Sequence, residues 1–301
     1  MRGLAGAAIV AAFAVPLARR RKRIPAAVTV AACASGPLAL AALWPRTKKR
    51  DVALFAMQMW AFAVAHELPY DNPDRLRERL KVDYPIRIDR RIGLGVLPTV
   101  RLQRLLARFG RASLLDRSLT WAHWLWFFEP YLALVVILAR DNERFPRAAR
   151  QLAATFDLGC VIYHAVPTAP PWWASEQGAT DERVRRVMVE VGEETWGKAW
   201  PGMYDTLGGN PWAAMPSLHF ATALMSALLL SETGPPEGVA GWSYATTLGF
   251  ALVYLGEHYV TDLLAGAALV GAVRFGEPLA EPVVGAVNGV LQRLEGIATG
   301  G

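Results

Sequence analysis

Six stretches of the chain are apolar along most of their length: residues 51–68, 117–139, 147–166, 212–231, 239–256 and 258–275. Each reaches or nearly reaches the ~20 residues an α-helix needs to cross a bilayer. The pattern predicts an all-α integral membrane protein built on a six-transmembrane-helix bundle over 51–275. Its shorter spans would be shielded by neighbours or lie where the membrane is thin. A soluble all-α protein is the competing reading, and six such runs in one chain leave it little room.

Two more apolar stretches come first. Residues 1–18 are followed at once by Arg19-Arg20-Arg21-Lys22-Arg23. A cleaved secretory signal carries its charges before the apolar run, so this segment reads as an anchor. Residues 24–44 are closed by Arg46, Lys48, Lys49 and Arg50, and basic clusters at both ends of one span conflict with the positive-inside rule. A turn at Ser35-Gly36-Pro37 would resolve this by making a re-entrant hairpin; a kinked spanning helix is the alternative. Residues 1–50 therefore form an N-terminal membrane segment, and 276–301 a tail with a short amphipathic helix around 282–297.

Two polar connections interrupt the bundle. Residues 69–116 are rich in arginine, and Val100, Leu102, Leu105, Leu106 and Phe109 recur at helical spacing among Arg101, Arg104, Arg108 and Arg111. That pattern predicts an interfacial amphipathic helix lying on the membrane surface. Residues 167–211 are the second connection, with an amphipathic helix over about 181–199 ended by Pro201-Gly202.

Composition agrees: 53% of the 301 residues are hydrophobic and 19% charged. The net charge of +6 falls beside apolar runs rather than on a separable soluble domain. It suits anionic lipid headgroups and makes nucleic acid a poor partner. Cys33 and Cys160 lie inside apolar stretches and offer neither a disulfide framework nor a metal motif.

The candidate chemistry lies in two motifs. Pro216-Ser217-Leu218-His219 opens one apolar run, and Gly256-Glu257-His258-Tyr259-Val260-Thr261-Asp262 opens another. His258 and Asp262 are four apart, a spacing that puts them on one face of a helix. His219 stands at a helix start, where free N–H groups and the positive dipole end favour an anion. The runs between the motifs go out and return, so both histidines reach one membrane face, where ionisable residues facing a bundle are functional candidates. Two His and one Asp also suit zinc or iron. However, Ser217 and the helix N-terminus favour a phosphate, and no further Cys, Asp or Glu stands at ligand spacing.

Together the motifs resemble the second and third signatures of the type 2 phosphatidic acid phosphatase superfamily. Leu218, and the stretch from Tyr163 to Trp173 with its Pro-Thr-Ala-Pro-Pro-Trp-Trp segment, are similar to the inositol phosphorylceramide synthase-like branch. The resemblance covers about 51–275. It implies a six-helix phosphatase/phosphotransferase bundle, no metal or other cofactor, and a covalent phosphohistidine. It makes His258 the nucleophile, Asp262 its orienting partner, and His219 the acid for the leaving alcohol and base for the acceptor. Ser217 and Leu218 would cradle the phosphate oxygens.

The chain departs from the family where cations are usual. No Lys-x6-Arg-Pro signature stands near 157–171, and Leu252 occupies the position of an Arg six residues before the nucleophile. Pro171 and Trp172 fill the place of the first signature as a rigid wall. Arg183, Arg185, Arg186 and Lys198 are the candidate replacement cations, with Arg186 and Lys198 assigned to substrate binding. The partners implied are a lipid phosphate or phospholipid donor, a water, polyol or lipid-alcohol acceptor, and the bilayer. A phosphodiester donor needs fewer cations than a monoester, so a lipid phosphotransferase is expected, with a lipid phosphate phosphatase as the alternative. A lipid-phosphate transporter or binding protein is the reading from another class. The expected location is the plasma membrane, multi-pass, with the site on the extracytoplasmic side.

Overall fold

The computed structural model describes residues 2–107, 112–207 and 210–299, so the expectations placed on Arg108, Phe109 and Arg111 lie outside the described residues. Every element of regular structure among them is helical. α1 (Arg2–Lys22), α2 (Ala26–Leu43) and α3 (Lys48–Glu67) come first. Short helices α4 (Pro73–Glu78), α5 (Asp83–Ile92) and α6 (Pro98–Leu106) make the arginine-rich connection. α7 (Leu114–Leu125), α8 (Glu129–Arg140) and α9 (Phe145–Ala165) follow, then α10 (Pro171–Glu176), α11 (Val187–Trp196) and α12 (Trp200–Leu207). The chain closes with α13 (Leu218–Thr233), α14 (Pro235–Tyr254) and α15 (Val260–Thr299).

Local chemistry sets many of these boundaries. Proline stands in the first turn of α4, α6, α8, α9, α10 and α14, where its missing N–H costs nothing. Thr47 caps α3 through Arg50 N–H, and Ser113 with Asp116 forms a reciprocal capping box on α7.

Among the described residues, four helices are long and apolar enough to cross a membrane: Gly3–Lys22, Ala26–Leu43, Lys48–Asp71 and Val260–Pro282. The run expected over 117–139 is two helices, α7 and α8, bent by 59°, and counting that pair as one span gives five. α13 is apolar but only 16 residues long. The chain is thus a multi-pass all-α membrane protein by the length and composition of its helices, and the six-span count rests on the sequence pattern. α13 packs against α8, α9, α14 and α15 and forms the centre of the bundle.

The N-terminal segment corrects one expectation. α2 runs unbroken through Pro37, and the turn falls at Arg23–Pro25, not at Ser35-Gly36-Pro37. Gly36 sits under Met57 and Ala12, so the suspected turn is a close packing point. The two basic clusters therefore lie at opposite ends of α2. Arg19 bonds Glu67 and Asp71 at 3.0 and 3.2 Å, beside the C-terminal end of α3. The tail is likewise a continuation of α15, which passes Pro278 and Pro282, rather than a separate helix. The second amphipathic helix begins at Val187, later than expected, because Arg185 N–H is held by Gln103 and Val184 N–H by Ser175.

Candidate active site

Both histidine motifs come to one end of the bundle, and the residues around them explain why. Ser217 caps α13, its Oγ accepting from Phe220 N–H at 3.3 Å; such a cap contributes about 1 kcal/mol. Tyr163 of α9 holds the preceding strand of chain, donating its hydroxyl to the Pro216 carbonyl at 2.8 Å and accepting from Leu218 N–H at 3.2 Å. Ser217 N–H donates to the Asp262 carbonyl at 3.0 Å, which ties one motif directly to the other. Gly266 allows this approach, because a Cβ there would lie 2.8 Å from the Ser217 carbonyl oxygen.

The second motif is a turn followed by a helix. Gly256 has φ +84, and the Leu252 carbonyl accepts from both Glu257 and His258 N–H at 3.1 Å. Trp172 N–H closes the outside of the turn on the Gly256 carbonyl at 3.2 Å. Asp89 of α5 then caps α15: it accepts from Val260 and Thr261 N–H, each at 2.9 Å, and from Thr261 Oγ1 at 2.5 Å. Burial pushes the Asp89 carboxyl up, and these hydrogen bonds pull the other way.

This cap changes how His258 meets Asp262. The spacing predicts one helical face, yet α15 begins at Val260, so His258 lies in the turn and reaches back across the helix start. His258 Nδ1 stands 3.4 Å from Asp262 Oδ2, which also accepts Tyr259 N–H at 2.9 Å. His219 Nδ1 stands 3.2 Å from His258 Nε2. With His258 Nδ1–H given to the carboxylate, its Nε2 carries a lone pair and accepts from His219 Nδ1–H. His258 and Asp262 are buried, and His219 is partly exposed.

The remaining candidates separate. Ser217 is fully buried, with its N–H and one hydroxyl lone pair already committed, so it can offer a phosphate only its hydroxyl proton. Leu218 points away from the histidines, into the core against Gly159 of α9. Pro171 and Trp172 are buried beside the His258 turn. Arg186 lies over the Trp172 ring, 3.7 Å from its centroid, and acts electrostatically on Glu257 next to His258. Arg185 is paired with Glu190. Lys198 is exposed on the Gly197–Ala199 turn. Leu252 is fully buried in an apolar cluster with Ala223, Ala227, Ala245 and Leu248, a place that would not hold a phosphate-binding cation.

Burial raises the Glu257 carboxyl to about 7, with the Arg186 and His258 charges and a hydrogen bond from Trp172 opposing it. Among the described residues, no cluster of three His, Cys, Asp or Glu stands at metal-ligating geometry. Sequence reasoning missed Asp89, Tyr163 and His123. Asp89 is one acid in an arginine-rich connection, and nothing local marks it as the cap of a helix 171 residues later. Tyr163 opens a stretch already singled out, but its role depends on where α9 meets α13.

The family model of the PAP2 superfamily matches residues 86–275, more than half of the chain. The chain belongs to the PAP2 superfamily. Among curated relatives it is 25% identical over 199 residues to the inositol phosphorylceramide synthase catalytic subunit of Schizosaccharomyces pombe, covering 59% of this chain and 45% of that one. It is 31% identical over 140 residues to the inositol phosphorylceramide synthase of Candida albicans, 41% of this chain and 28% of the relative. The Saccharomyces cerevisiae catalytic subunit is 30% identical over 115 residues, 37% and 29% of the two chains. These similarities put the chain in the inositol phosphorylceramide synthase-like branch of the superfamily. It spans less than half the length of each of these relatives. No solved structure matches it.

Proposed function

We propose that this protein is a membrane phosphotransferase that moves a phospho-headgroup from a lipid donor to an alcohol acceptor through a phosphohistidine at His258. The observation that carries the reading is the Asp262–His258–His219 row, with contacts of 3.4 and 3.2 Å. It supplies an oriented nucleophile and a proton donor at one point, and a binding protein needs neither. The 3.2 Å contact closes when no phosphate separates the rings. A bound ester takes the place of His258 as acceptor of His219 Nδ1–H, which leaves the Nε2 lone pair facing phosphorus.

In the first half-reaction His258 Nε2 attacks phosphorus and the P–O bond to the leaving alcohol breaks. That oxygen takes the His219 proton, and Asp262 stabilises the positive charge on the His258 ring. In the second, the acceptor hydroxyl gives its proton to His219 and attacks phosphorus. The N–P bond breaks, and its electron pair returns to Nε2. The non-bridging oxygens need donors, and the α13 N-terminus with the Ser217 hydroxyl supports that role. Arg186 is the cation we assign to them.

The relatives' names support a phosphodiester donor of the phosphatidylinositol kind and a lipid alcohol acceptor for the whole reaction. The catalytic unit is residues 51–275, a six-span bundle, with 1–50 as a membrane segment and 276–301 as a tail. Incubating purified protein in detergent with phosphatidylinositol, polyprenyl phosphate and phosphatidic acid, each with ceramide or a polyol, tests this. A new phosphodiester supports transfer. Release of inorganic phosphate with no new ester would replace it by a phosphatase, and no turnover would leave a transporter or binding protein.

We also propose that the site faces outward across the plasma membrane. Arg140, Arg144, Arg147 and Arg150 at the other end of the bundle support this, while Arg19–Arg23 and the arginines of 69–116 weigh against it. Gly178→Cys should label from outside intact cells; labelling of Pro235→Cys alone would reverse the orientation.

A further inference from the structure

A third imidazole stands beside the histidine pair. His123, near the end of α7, is buried, and its ring centroid lies 4.8 Å from that of His219 with the planes 33° apart. Trp126, one turn on, brings its ring to 4.1 Å from the same imidazole. Neither residue belongs to the motifs that carry the family resemblance.

The backbone explains why both reach His219. α7 is fixed at its site end by the Tyr254 hydroxyl, which donates to Asp116 at 2.5 Å. It then breaks: α8 leaves at 59°, and the break falls at Trp126–Phe128. Trp126 is held by its Nε1–H, which donates to Thr222 Oγ1 at 2.8 Å, and Thr222 is one turn beyond His219 on α13. A single hydrogen bond therefore fixes one ring against the other.

From this geometry we infer that His123 and Trp126 are positioning residues for His219: they pack against its ring and hold its orientation toward His258. His123 Nδ1 has no hydrogen-bond partner among the described residues. The other ionisable groups acting on His219 are His258, paired to Asp262, and His66 of α3. Among these aromatic neighbours, only His123 and Trp126 come within 5 Å of its ring centroid.

The inference rests on the phosphotransfer reading, because it acts through the acid step. Donor kcat/KM reports only the first half-reaction, and there a residue that serves the general acid matters only when the leaving group needs a proton. Purified wild type, His123→Leu, His123→Phe and Trp126→Leu are therefore compared on two donors. One releases an alkyl alcohol, and the other is a 4-nitrophenyl phosphodiester whose leaving group departs unprotonated. His123→Leu and Trp126→Leu should each lose about tenfold or more in donor kcat/KM on the alkyl donor, the scale of a misplaced catalytic group. They should lose less than threefold on the nitrophenyl donor, and His123→Phe, which keeps an aromatic face, should recover most of the alkyl-donor rate. Equal losses on both donors, or no loss on either, would overturn the inference and leave the phosphotransfer reading intact. A wild-type protein that turns over neither donor would overturn that reading and the inference with it.

Discussion

The two ends of the helical bundle handle charge in opposite ways. At the end away from the histidines, arginines meet acids in the open. Arg147 bonds Glu232 and Glu277 at 2.8 and 2.9 Å, Arg274 reaches Glu232 at 2.6 Å, and Arg140 reaches Glu237 at 3.0 Å. Arg140 and Arg147 are more than a third exposed, so their pairs are screened and each contributes little. At the histidine end, the ionisable groups that matter are buried and fixed by hydrogen bonds from backbone and neighbouring rings. Asp89 and Asp262 are fully buried, and both bond main-chain N–H groups around the start of α15. One end tolerates the loss of a partner because water replaces it. The other does not, because nothing replaces a buried acceptor.

That contrast orders the expected effects of mutation. On the proposed mechanism, His258→Ala should lower kcat by about 10⁴-fold or more while the protein still folds in detergent, since removing the proposed nucleophile removes the pathway itself. Residual turnover within tenfold of wild type would show that another group attacks phosphorus. Asp89→Ala strips Val260 and Thr261 of their buried acceptor, and should cost about 1–3 kcal/mol in thermal unfolding. It should also lower kcat, because the α15 start positions Asp262.

Glu257 gives a pH test of the same end. Its carboxyl is raised to about 7, so the folded protein favours the proton. The stabilising contribution is complete below the ordinary 4.5 and is lost as pH rises through about 7. The carboxylate formed above that pH adjoins His258, where the proposed mechanism puts the donor phosphate. Donor KM should therefore climb roughly threefold between pH 6 and 8, and Glu257→Gln should flatten the climb. An identical slope in the variant would show that the carboxyl does not face the donor. The smallest effect belongs to the far end: Arg147→Ala should change kcat/KM less than twofold and stability by about 1 kcal/mol at most. A tenfold loss of activity there would break the contrast.

Much of the fold was legible because membrane helices declare themselves by long apolar runs, and α3, α9, α14 and α15 begin within a few residues of where the pattern puts them, while α13 begins later, at Leu218 rather than 212. Two features were not. The break between α7 and α8 lies inside a continuous apolar stretch, and hydropathy is blind to a bend. The straight passage of α2 through Pro37 depends on neighbours: α1 and α3 pack along it, and Gly36 admits Met57 and Ala12 at its side. Local turn chemistry alone favours a hairpin there, and packing overrides it.

The candidate site divides along the same line. The sequence by itself singled out His219, His258 and Asp262 as candidates, because residue type and short spacing are local properties. It determined the membrane setting for a similar reason, since apolar runs of that length have few other uses. Only the tertiary structure decided that His258 leaves the helix and meets Asp262 across its start, because that depends on Asp89 capping α15 from α5. Only it brought His123 and Trp126 against His219, because they arrive through a helix break 96 residues from Thr222 in sequence. Short-range chemistry is written in neighbouring letters, whereas orientation comes from groups that meet only once distant helices have packed.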